Sequence, residues 1–476
     1  MSIFAEQFKQ AIEESGISIA ALSAMSGLSA SLLYKYQSGT RLPDSLETLE
    51  RLLDLIACPL ARKRDLLQLY RSERIGDIRF VCFQEMKDML ADMANCITVP
   101  PDGAAPVGGE IPSVVTGGSN VNMAVRLVME RESSREDGFI DMLIPVKYSF
   151  CMELLSQVSQ SCHPKFRGVR HLFSLQATVT DVALLDNMRT IRQMLPKLMT
   201  LERYDPRYCY TPDTDNGAIP FPYMMVTSSG VLLLSGDRQS AVYLRDPEIV
   251  RLYQQMFRQM LPRYTPVMQQ SEASLQSYAA LFRSIMDDVG QSVHPVLLGA
   301  TPCVLPCISF ETIQRIAPAE ELNWNLQEAY DLFLDITSKY SYTTFFTKEG
   351  FCSFLETGVF HDVPGARLSP LTREDRIMTV KQMLQQARDG HIKPYLFRMD
   401  IFRGTSCITL ALYGTKLLTI CEMPRRDNLF LDVREATLSH ILRGYIDNIQ
   451  LLGDVYPVSE TIEILEAELQ KYLDCP

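Results

Sequence analysis

Residues 18–43 (SIAALSAMSGLSASLLYKYQSGTRLP) constrain the fold of this chain more than any other segment. Gly27 separates two short runs that are rich in apolar residues, and Gly39 ends the second run. Ser18 and Ser29 precede the two runs, where a serine hydroxyl can accept a free N–H of the first helical turn. The pattern predicts two short helices joined by a tight turn.

The neighbouring segments predict three further helices. One covers residues 2–15, Asp44 is expected to cap a fourth helix, and a fifth follows Pro59. The basic run RKR at 62–64 is interpreted as a solvated helix face rather than a phosphate-binding patch. Residues 1–75 are therefore predicted to form a self-sufficient all-α domain.

The second helix of the central pair has an inward and an outward side. Leu33 and Tyr36 recur at helical spacing and are expected to face inward, with Leu22, Met25 and Leu28 completing the core. Small and polar residues on the other side suit a helix that contacts base edges in the major groove, and an exit turn commonly contacts phosphates. The predicted DNA-contacting residues are Ser29, Ala30, Ser31, Tyr34, Lys35, Thr40 and Arg41.

Through these residues the segment from about 4 to 57 resembles the Cro/repressor-type helix-turn-helix family, also called the XRE family. By that resemblance Ser31, Tyr34 and Lys35 fall where members contact bases or phosphates. Ile19 departs from the usual Gln and removes a phosphate contact, whereas Gln37 replaces the usual Glu nearly isosterically. The rest of the chain resembles no family that we recognise. The resemblance rests on Leu22, Gly27, Leu28, Ser29, Leu33, Tyr36, Gly39, Arg41 and Pro43.

Length and composition indicate a folded protein with about three domains. Of the 476 residues, 46% are hydrophobic and 22% are charged. No apolar run is long enough to span a membrane, and the start MSIFAEQFKQ lacks the features of a secretory signal. A cytoplasmic location is therefore expected, and the 12 scattered cysteines are expected to stay reduced there.

The negative charge of the chain is unevenly distributed. The net charge is −11, yet residues 1–75 carry nine Lys or Arg and nine Asp or Glu. The excess acid therefore lies downstream of this segment. It is expected to repel phosphate and so to disfavour non-specific DNA binding.

The sequence suggests three further segments after residue 75. A helix near 78–97 and a Gly- and Pro-rich stretch from Thr98 to Asn120 form a predicted linker over 76–120. The alternative is that this stretch is an irregular loop of the next domain. Residues 121–290 and 291–476 are predicted to be two α/β lobes.

Five pairs of short matches, in the same order in both lobes, indicate a duplication. Each copy also ends with two apolar strands and an amphipathic helix. The alternative is convergent patterning of similar elements. The matches are KYSFCMELL (147–155) with KEGFCSFLE (348–356), Gly168 and Arg170 with Gly365 and Arg367, MRTIRQML (188–195) with IMTVKQML (377–384), Tyr208 with Tyr395, and GVLLLS (230–235) with TKLLTI (415–420).

The motifs that suggest catalysis or metal binding are weak. Phospholipase D-like enzymes use H-x-K-x4-D twice, and this chain has His163-Pro164-Lys165 and His391-Ile392-Lys393. Arg170 and Arg398 stand where Asp is required. Cys303 and Cys307 have no accompanying histidine pair and are interpreted as buried thiols. We therefore predict no catalytic residue, no metal site and no cofactor.

These observations favour a bacterial or phage-type transcriptional regulator without enzymatic activity. The first domain is expected to bind a palindromic operator in double-stranded DNA as part of a homodimer, and the duplicated region to sense a ligand or partner. One alternative is a DNA-tethered or degenerate phospholipase D-like enzyme. The other is a protein-interaction module of the antitoxin or defence type, whose helical bundle binds only protein.

Overall fold

The structure is a computed structural model that contains helices and two mixed β-sheets, so the chain is a multidomain α/β protein. It divides into two compact units, Met1–Gln84 with Gly444–Asp454, and Glu85–Arg443 with Val455–Pro476. The described residues are 2–98, 108–160, 162–177, 180–201, 203–211, 219–272, 280, 283, 294–318, 324–339, 341–360, 368–402, 408–414, 416–421, 429–433 and 435–474.

Five helices form the amino-terminal part of the first unit. Phe4, Phe8, Leu33 and Leu52 are among the apolar side chains buried between them. Each such burial contributes roughly 1.5–3 kcal/mol to folding. The helices are α1 (Ile3–Ser15), α2 (Ile19–Ser26), α3 (Ala30–Ser38), α4 (Leu46–Leu55) and α5 (Leu60–Ile75).

The ends of these helices follow from their capping residues. The Ser18 hydroxyl accepts a hydrogen bond from the N–H of Ala21 at 3.2 Å, and α2 ends at Gly27, which has a left-handed φ of 73°. The predicted cap of the fourth helix is wrong. Ser45 caps α4, because its hydroxyl lies 3.2 Å from the N–H of Thr48.

A segment from the carboxyl-terminal part of the chain completes the first unit. Arg71 Nε donates to the carbonyl of Leu451 at 3.1 Å, and Leu451 packs against the helical core. The rings of Phe83 and Tyr445 lie 6.2 Å apart. The unit therefore extends beyond the predicted 1–75. Local helical patterns did not reveal this extension, because these partners are distant in sequence.

The second unit contains all the strands that the structure describes and the remaining helices, except that α15 (Ala436–Leu452) leaves it after Arg443 and ends in the first unit. Helix α6 (Asp77–Thr98) begins in the first unit and ends in the second. The helices that follow are α7 (Gly118–Ser133), α8 (Ser149–Gln160), α9 (Asp181–Thr200), α10 (Pro247–Met260), α11 (Phe310–Ile316), α12 (Trp324–Lys339), α13 (Lys348–Thr357), α14 (Arg373–Arg388), α15 (Ala436–Leu452) and α16 (Val458–Asp474).

Fifteen described strands form two sheets. Their side chains are mostly apolar and buried, as strands covered by helices require. The strands are β1 (Val114–Thr116), β2 (Ile140–Leu143), β3 (Val169–Gln176), β4 (Tyr204–Thr211), β5 (Tyr223–Thr227), β6 (Val231–Leu234), β7 (Ser240–Leu244), β8 (Thr265–Pro266), β9 (Met268–Glu272), β10 (Val296–Gly299), β11 (Tyr342–Phe346), β12 (Ile392–Leu396), β13 (Ile408–Tyr413), β14 (Lys416–Cys421) and β15 (Leu429–Val433).

The two sheets have the same topology. The first has the order β1-β7-β6-β5-β2-β3-β4-β8, and the second, written from its other edge, has β9-β15-β14-β13-β10-β11-β12. In each sheet three strands run parallel and the other pairings are antiparallel. An antiparallel bridge between Phe397 and Val455 stands where β4 pairs with β8 in the first sheet. This correspondence supports the duplication that the sequence matches indicate.

Some of the sequence matches join equivalent elements and one does not. The match of 188–195 with 377–384 joins α9 to α14, and each of these helices precedes the third parallel strand of its sheet. Tyr208 and Tyr395 lie in the equivalent strands β4 and β12. The match of 147–155 with 348–356 is out of step, because α8 follows the first parallel strand and α13 follows the second. Gly365 and Arg367 lie outside the described residues.

The predicted linker contains regular structure at its end. Strand β1 pairs with β7 through Val114 and Val242, and α7 begins at Gly118. These residues therefore belong to the first sheet and its helices. Residues 99–107 of the predicted linker lie outside the described residues.

Among the described helices, none combines the length and the apolar character that crossing a bilayer requires.

Candidate nucleic-acid interface

Helix α3 has one outward face that carries three of the predicted contact residues. Ser31, Tyr34 and Lys35 are all exposed, and the side chain of Tyr34 is 59% exposed. Their spacing of three and four residues places them together on one side of the helix. The face therefore offers a hydroxyl, a phenol and an ammonium group to a partner.

The opposite face of α3 fixes the helix in the first unit. Leu33 and Tyr36 are fully buried, and Leu22 of α2 is buried in the same core. The Tyr70 hydroxyl donates to the carbonyl of Pro43 at 2.9 Å and so anchors the chain after α3. The inward placement of Leu33, Tyr36 and Leu22 is confirmed, and Leu28 packs partly buried against the same core. Met25 was also expected in this core but is 43% exposed, so that prediction is wrong. The outward face of α3 is held on a packed support.

The beginning of α3 is capped by one of the predicted contact residues. The Ser29 hydroxyl accepts a hydrogen bond from the N–H of Leu32 at 3.3 Å. Ser29 is exposed, and Ala30, the first residue of the helix, is partly buried. Unpaired N–H groups at a helix start favour anions, so this end of α3 suits a phosphate or a base acceptor.

The turn that follows α3 contains the two other predicted contact residues. Gly39 has a φ of 73°, and a Cβ there would lie 3.1 Å from the Cβ of Ala5. The Thr40 hydroxyl lies 2.7 Å from that of Ser38. Arg41 is exposed, and its Nη2 donates to Asp44 at 2.8 Å. Sequence reasoning assigned Asp44 to a helix cap and missed this ion pair.

The charge around α2 and α3 favours a polyanion. From Ser15 to Pro43 the sequence contains no Asp or Glu, and it contains Lys35 and Arg41. The ion pair between Arg41 and Asp44 is exposed on both sides, and such pairs contribute only about 0–1 kcal/mol. A phosphate can therefore replace Asp44 as the partner of Arg41 at little cost.

The basic run on α5 is engaged within the first unit. Arg62 forms an ion pair with Glu14, and Lys63 forms one with Asp54. The side chains of Arg62 and Lys63 are only 22% and 20% exposed, so of this run only Arg64 lies on a solvated helix face as predicted.

The two H-x-K tripeptides lie at places that do not correspond in the two sheets. His163 lies in the loop before β3, and its Nδ1 accepts from the N–H of Lys165 at 3.2 Å. His391 directly precedes β12. Strand β3 is the second parallel strand of its sheet, whereas β12 is the third of its own, so the duplication does not relate the tripeptides.

The two cysteines of the loose C-x3-C motif lie in an apolar core. Cys303 and Cys307 are buried among hydrophobic side chains, and Cys307 Sγ lies 3.7 Å from Gln386 Oε1. Within the described segments, no group of three or more His, Cys, Asp or Glu side chains is arranged to hold a metal ion.

Comparisons with known proteins leave the family open. No protein-family model and no curated protein matches this sequence. The structure of TrmBL2, an archaeal chromatin protein with a novel mode of DNA binding, is 13% identical with a TM-score of 0.21, over 56% of this chain and 95% of that one. The phosphatidylserine synthase of Haemophilus influenzae Rd KW20 is 11% identical with a TM-score of 0.23, over 77% and 94%. At these TM-scores neither similarity bears on fold or activity.

Proposed function

We propose that this chain is a sequence-specific DNA-binding transcriptional regulator in which α2 and α3 act as a helix-turn-helix. The observation that carries the proposal is the division of α3 into two faces. Leu33 and Tyr36 are fully buried, while Ser31, Tyr34 and Lys35 are exposed on the opposite side. A recognition helix needs this division, because it must be held firmly while its outer side chains contact base edges.

Each predicted contact residue has a role in the proposal. Ser31 and Tyr34 contact base edges, Lys35 and Arg41 contact phosphates, and Thr40 lies beside the backbone at the exit turn. Ser29 and Ala30 direct the N–H groups at the start of α3 towards the DNA. The 29-residue stretch without acidic side chains, from 15 to 43, supports this assignment because a carboxylate there would repel phosphate.

The proposal gives the second unit a sensing and dimerising role. Two copies of the chain would place two α3 helices about 34 Å apart and select a palindromic operator. The proposal includes no catalytic step in the second unit, because the H-x-K tripeptides lack their Asp and their histidines precede non-equivalent strands.

Selection of genomic DNA fragments by the full-length protein tests the proposal. The wild-type chain should enrich a short palindrome. A variant with Ser31→Ala, Tyr34→Ala and Lys35→Ala should not enrich it, although its exposed substitutions leave the core intact. Circular dichroism and thermal unfolding check that this variant is folded. Equal enrichment by both proteins, or none by either, would contradict the role of α3 and favour the protein-interaction alternative.

A further inference from the structure

A cleft opens at the beginning of the three parallel strands of the first sheet. The register pairs Asp141 of β2 with Arg170 of β3, and Arg170 with Asp205 of β4, so these side chains form one row. Helix α10 covers the same side, with Arg170 Cζ 5.6 Å from the centre of the Phe257 ring. The cleft has a volume of about 670 Å³, within the roughly 300–1,000 Å³ of small-molecule sites.

The lining of the cleft is positive although the chain as a whole is negative. Among the described residues, four arginines and two aspartates line it, a formal charge of +2 (four minus two), against −11 for the whole chain. A positive concave site on an acidic protein attracts small anions selectively. The arginines are Arg167, Arg170, Arg203 and Arg258.

The two aspartates are already bound to arginines. Arg170 Nε and Nη2 donate to the two oxygens of Asp141, each at 2.6 Å, and this carboxylate is almost fully buried. Arg207 Nε donates to Asp205 at 2.9 and 3.1 Å. Burial raises the pKa of Asp141, and the hydrogen bonds from Arg170 oppose that shift. The carboxylates therefore neutralise Arg170 and Arg207.

The other three arginines of the cleft contact backbone carbonyl groups. Arg167 Nε donates to the carbonyl of Asp137 at 3.1 Å, Arg203 Nη1 to the carbonyl of Pro164 at 3.0 Å, and Arg258 Nε to the carbonyl of Gln254 at 3.2 Å. In the described part of the chain, none of the three forms an ion pair with a carboxylate. A guanidinium has five N–H donors, so each retains donors for a ligand.

A glycine brings two of these arginines together. Gly168 has a φ of +110°, and a Cβ there would lie 2.4 Å from the carbonyl oxygen of Arg203. The N–H of Val169 donates to that same oxygen at 2.8 Å. This close approach of the chain before β3 to the chain before β4 sets Arg167 and Arg203 beside one cleft.

We propose that this cleft binds a small molecule that carries a diphosphate group. Guanidinium groups match phosphate oxygens through paired N–H donors, and three arginines that have no carboxylate partner among the described residues suit a ligand with two or more negative charges. The concave shape favours a small ligand over the backbone of a duplex. This inference concerns the second unit and does not depend on DNA binding by α3.

Calorimetric titration of the full-length protein with inorganic pyrophosphate, without DNA, tests the inference. The wild-type chain should bind pyrophosphate at one site and more tightly than orthophosphate. Arg258→Ala should weaken binding about ten-fold or more, as expected when a charge-assisted hydrogen bond is lost. Arg251→Ala is the matched control, because it lies on the same helix, makes the same bond to the carbonyl four residues earlier, at 3.2 Å, and does not line the cleft.

Three outcomes would overturn the inference. The first is that millimolar pyrophosphate shows no saturable binding to the wild-type chain. The second is that both arginine variants lose affinity equally, which would indicate a general charge effect. The third is that Arg258→Ala weakens only duplex binding, which would make the cleft a DNA contact. Lys35→Ala should retain pyrophosphate binding, so failure of DNA recognition and failure of the cleft are distinguishable.

Discussion

Arg71 Nε donates a hydrogen bond to the carbonyl of Leu451, a residue 380 positions further along the chain. Burial lowers the pKa of Arg71, and the nearby carboxylates of Asp454 and Glu50 oppose that shift. The helices at the start of the chain therefore share one compact unit with residues 444–454. Integrity of the proposed DNA-binding helices should consequently depend on this late segment.

Gly453→Ala tests this dependence. The added Cβ would lie 2.5 Å from Arg71 Nη2, and Gly453 has a φ of +74°. We expect the free energy of unfolding of the first unit to fall by roughly 1–2 kcal/mol, because alanine disfavours the left-handed backbone conformation. Displacement of Arg71 should add about 1 kcal/mol. Hydrogen exchange of the α5 amides measures the sum of these two losses.

Gly16→Ala is the matched control for Gly453→Ala. Gly16 has a φ of +69° and nothing within 4 Å of an added Cβ, so it carries the backbone cost alone. If Gly453→Ala opens α5 no more than Gly16→Ala does, the contact between Arg71 and the late segment does not stabilise the first unit.

Lys35→Ala should weaken DNA binding and lower its salt dependence. If Lys35 contacts one phosphate, the slope of log K against log salt should fall by about one. Fluorescence anisotropy with the selected duplex over a range of salt concentrations measures the slope. Lys9→Ala is the control, because Lys9 is exposed on α1 and lies 3.8 Å from Glu13. An unchanged slope in Lys35→Ala would remove Lys35 from the interface.

Asp141→Ala should destabilise the first sheet and its helices. The substitution leaves Arg170 without its two-bond partner, and we expect a loss of about 2–3 kcal/mol in the free energy of unfolding. Glu136→Ala removes an exposed ion pair with Lys165 and should cost less than about 1 kcal/mol. Urea unfolding monitored by circular dichroism compares the two. Equal losses would show that the buried pair contributes no more than a surface pair.

His171 should make the stability of the second unit depend on pH. Its Nε2 donates to the carbonyl of Ile144, and its Nδ1 lies 2.7 Å from the Tyr204 hydroxyl, which donates to Nδ1 when the ring is neutral. Burial lowers the pKa of His171 from 6.5 to about 4. The unfolded chain therefore binds the proton more readily, and stability present above pH 6.5 is lost as the pH falls towards 4.

Because of His171, the free energy of unfolding should be about 2 kcal/mol lower at pH 5 than at pH 7. Urea unfolding at both pH values should show this difference between the wild-type chain and His171→Gln, whose amide can replace both hydrogen bonds. His163→Gln is the control, because His163 lies in a loop at the surface, and it should keep the wild-type dependence. A His171→Gln variant as acid-sensitive as the wild type would exclude this role.

Local chemistry in the sequence predicted much of the first unit. Ser18 and Ser29 cap the helices they precede, and Gly27 takes the left-handed conformation that ends α2. A capping serine acts within its own turn, so adjacent residues suffice to predict it. Asp44 was assigned a cap wrongly because Ser45 stands next to it, and either side chain suits that position.

Contacts between distant segments could not be predicted in the same way. The segment that forms strand β1 was predicted to be linker. Its hydrogen-bonding partner, β7, is more than a hundred residues later, so the neighbouring sequence does not reveal the pairing. The match of 147–155 with 348–356 paired helices that follow different strands, because amphipathic helices share similar patterns. The arginine cleft likewise required the register of β2, β3 and β4, which short strands do not reveal from sequence alone.

Photo-crosslinking from α3 tests the central claim most directly. Tyr34, which is 59% exposed, is replaced with a photoreactive phenylalanine in the full-length chain, and Met378 of α14, which is 62% exposed, is replaced as the control. After irradiation with the selected duplex, we expect a crosslink from position 34 to bases within the operator and none from position 378. A crosslink from position 378 but not from position 34, at a duplex concentration that saturates binding, would contradict DNA recognition by α3.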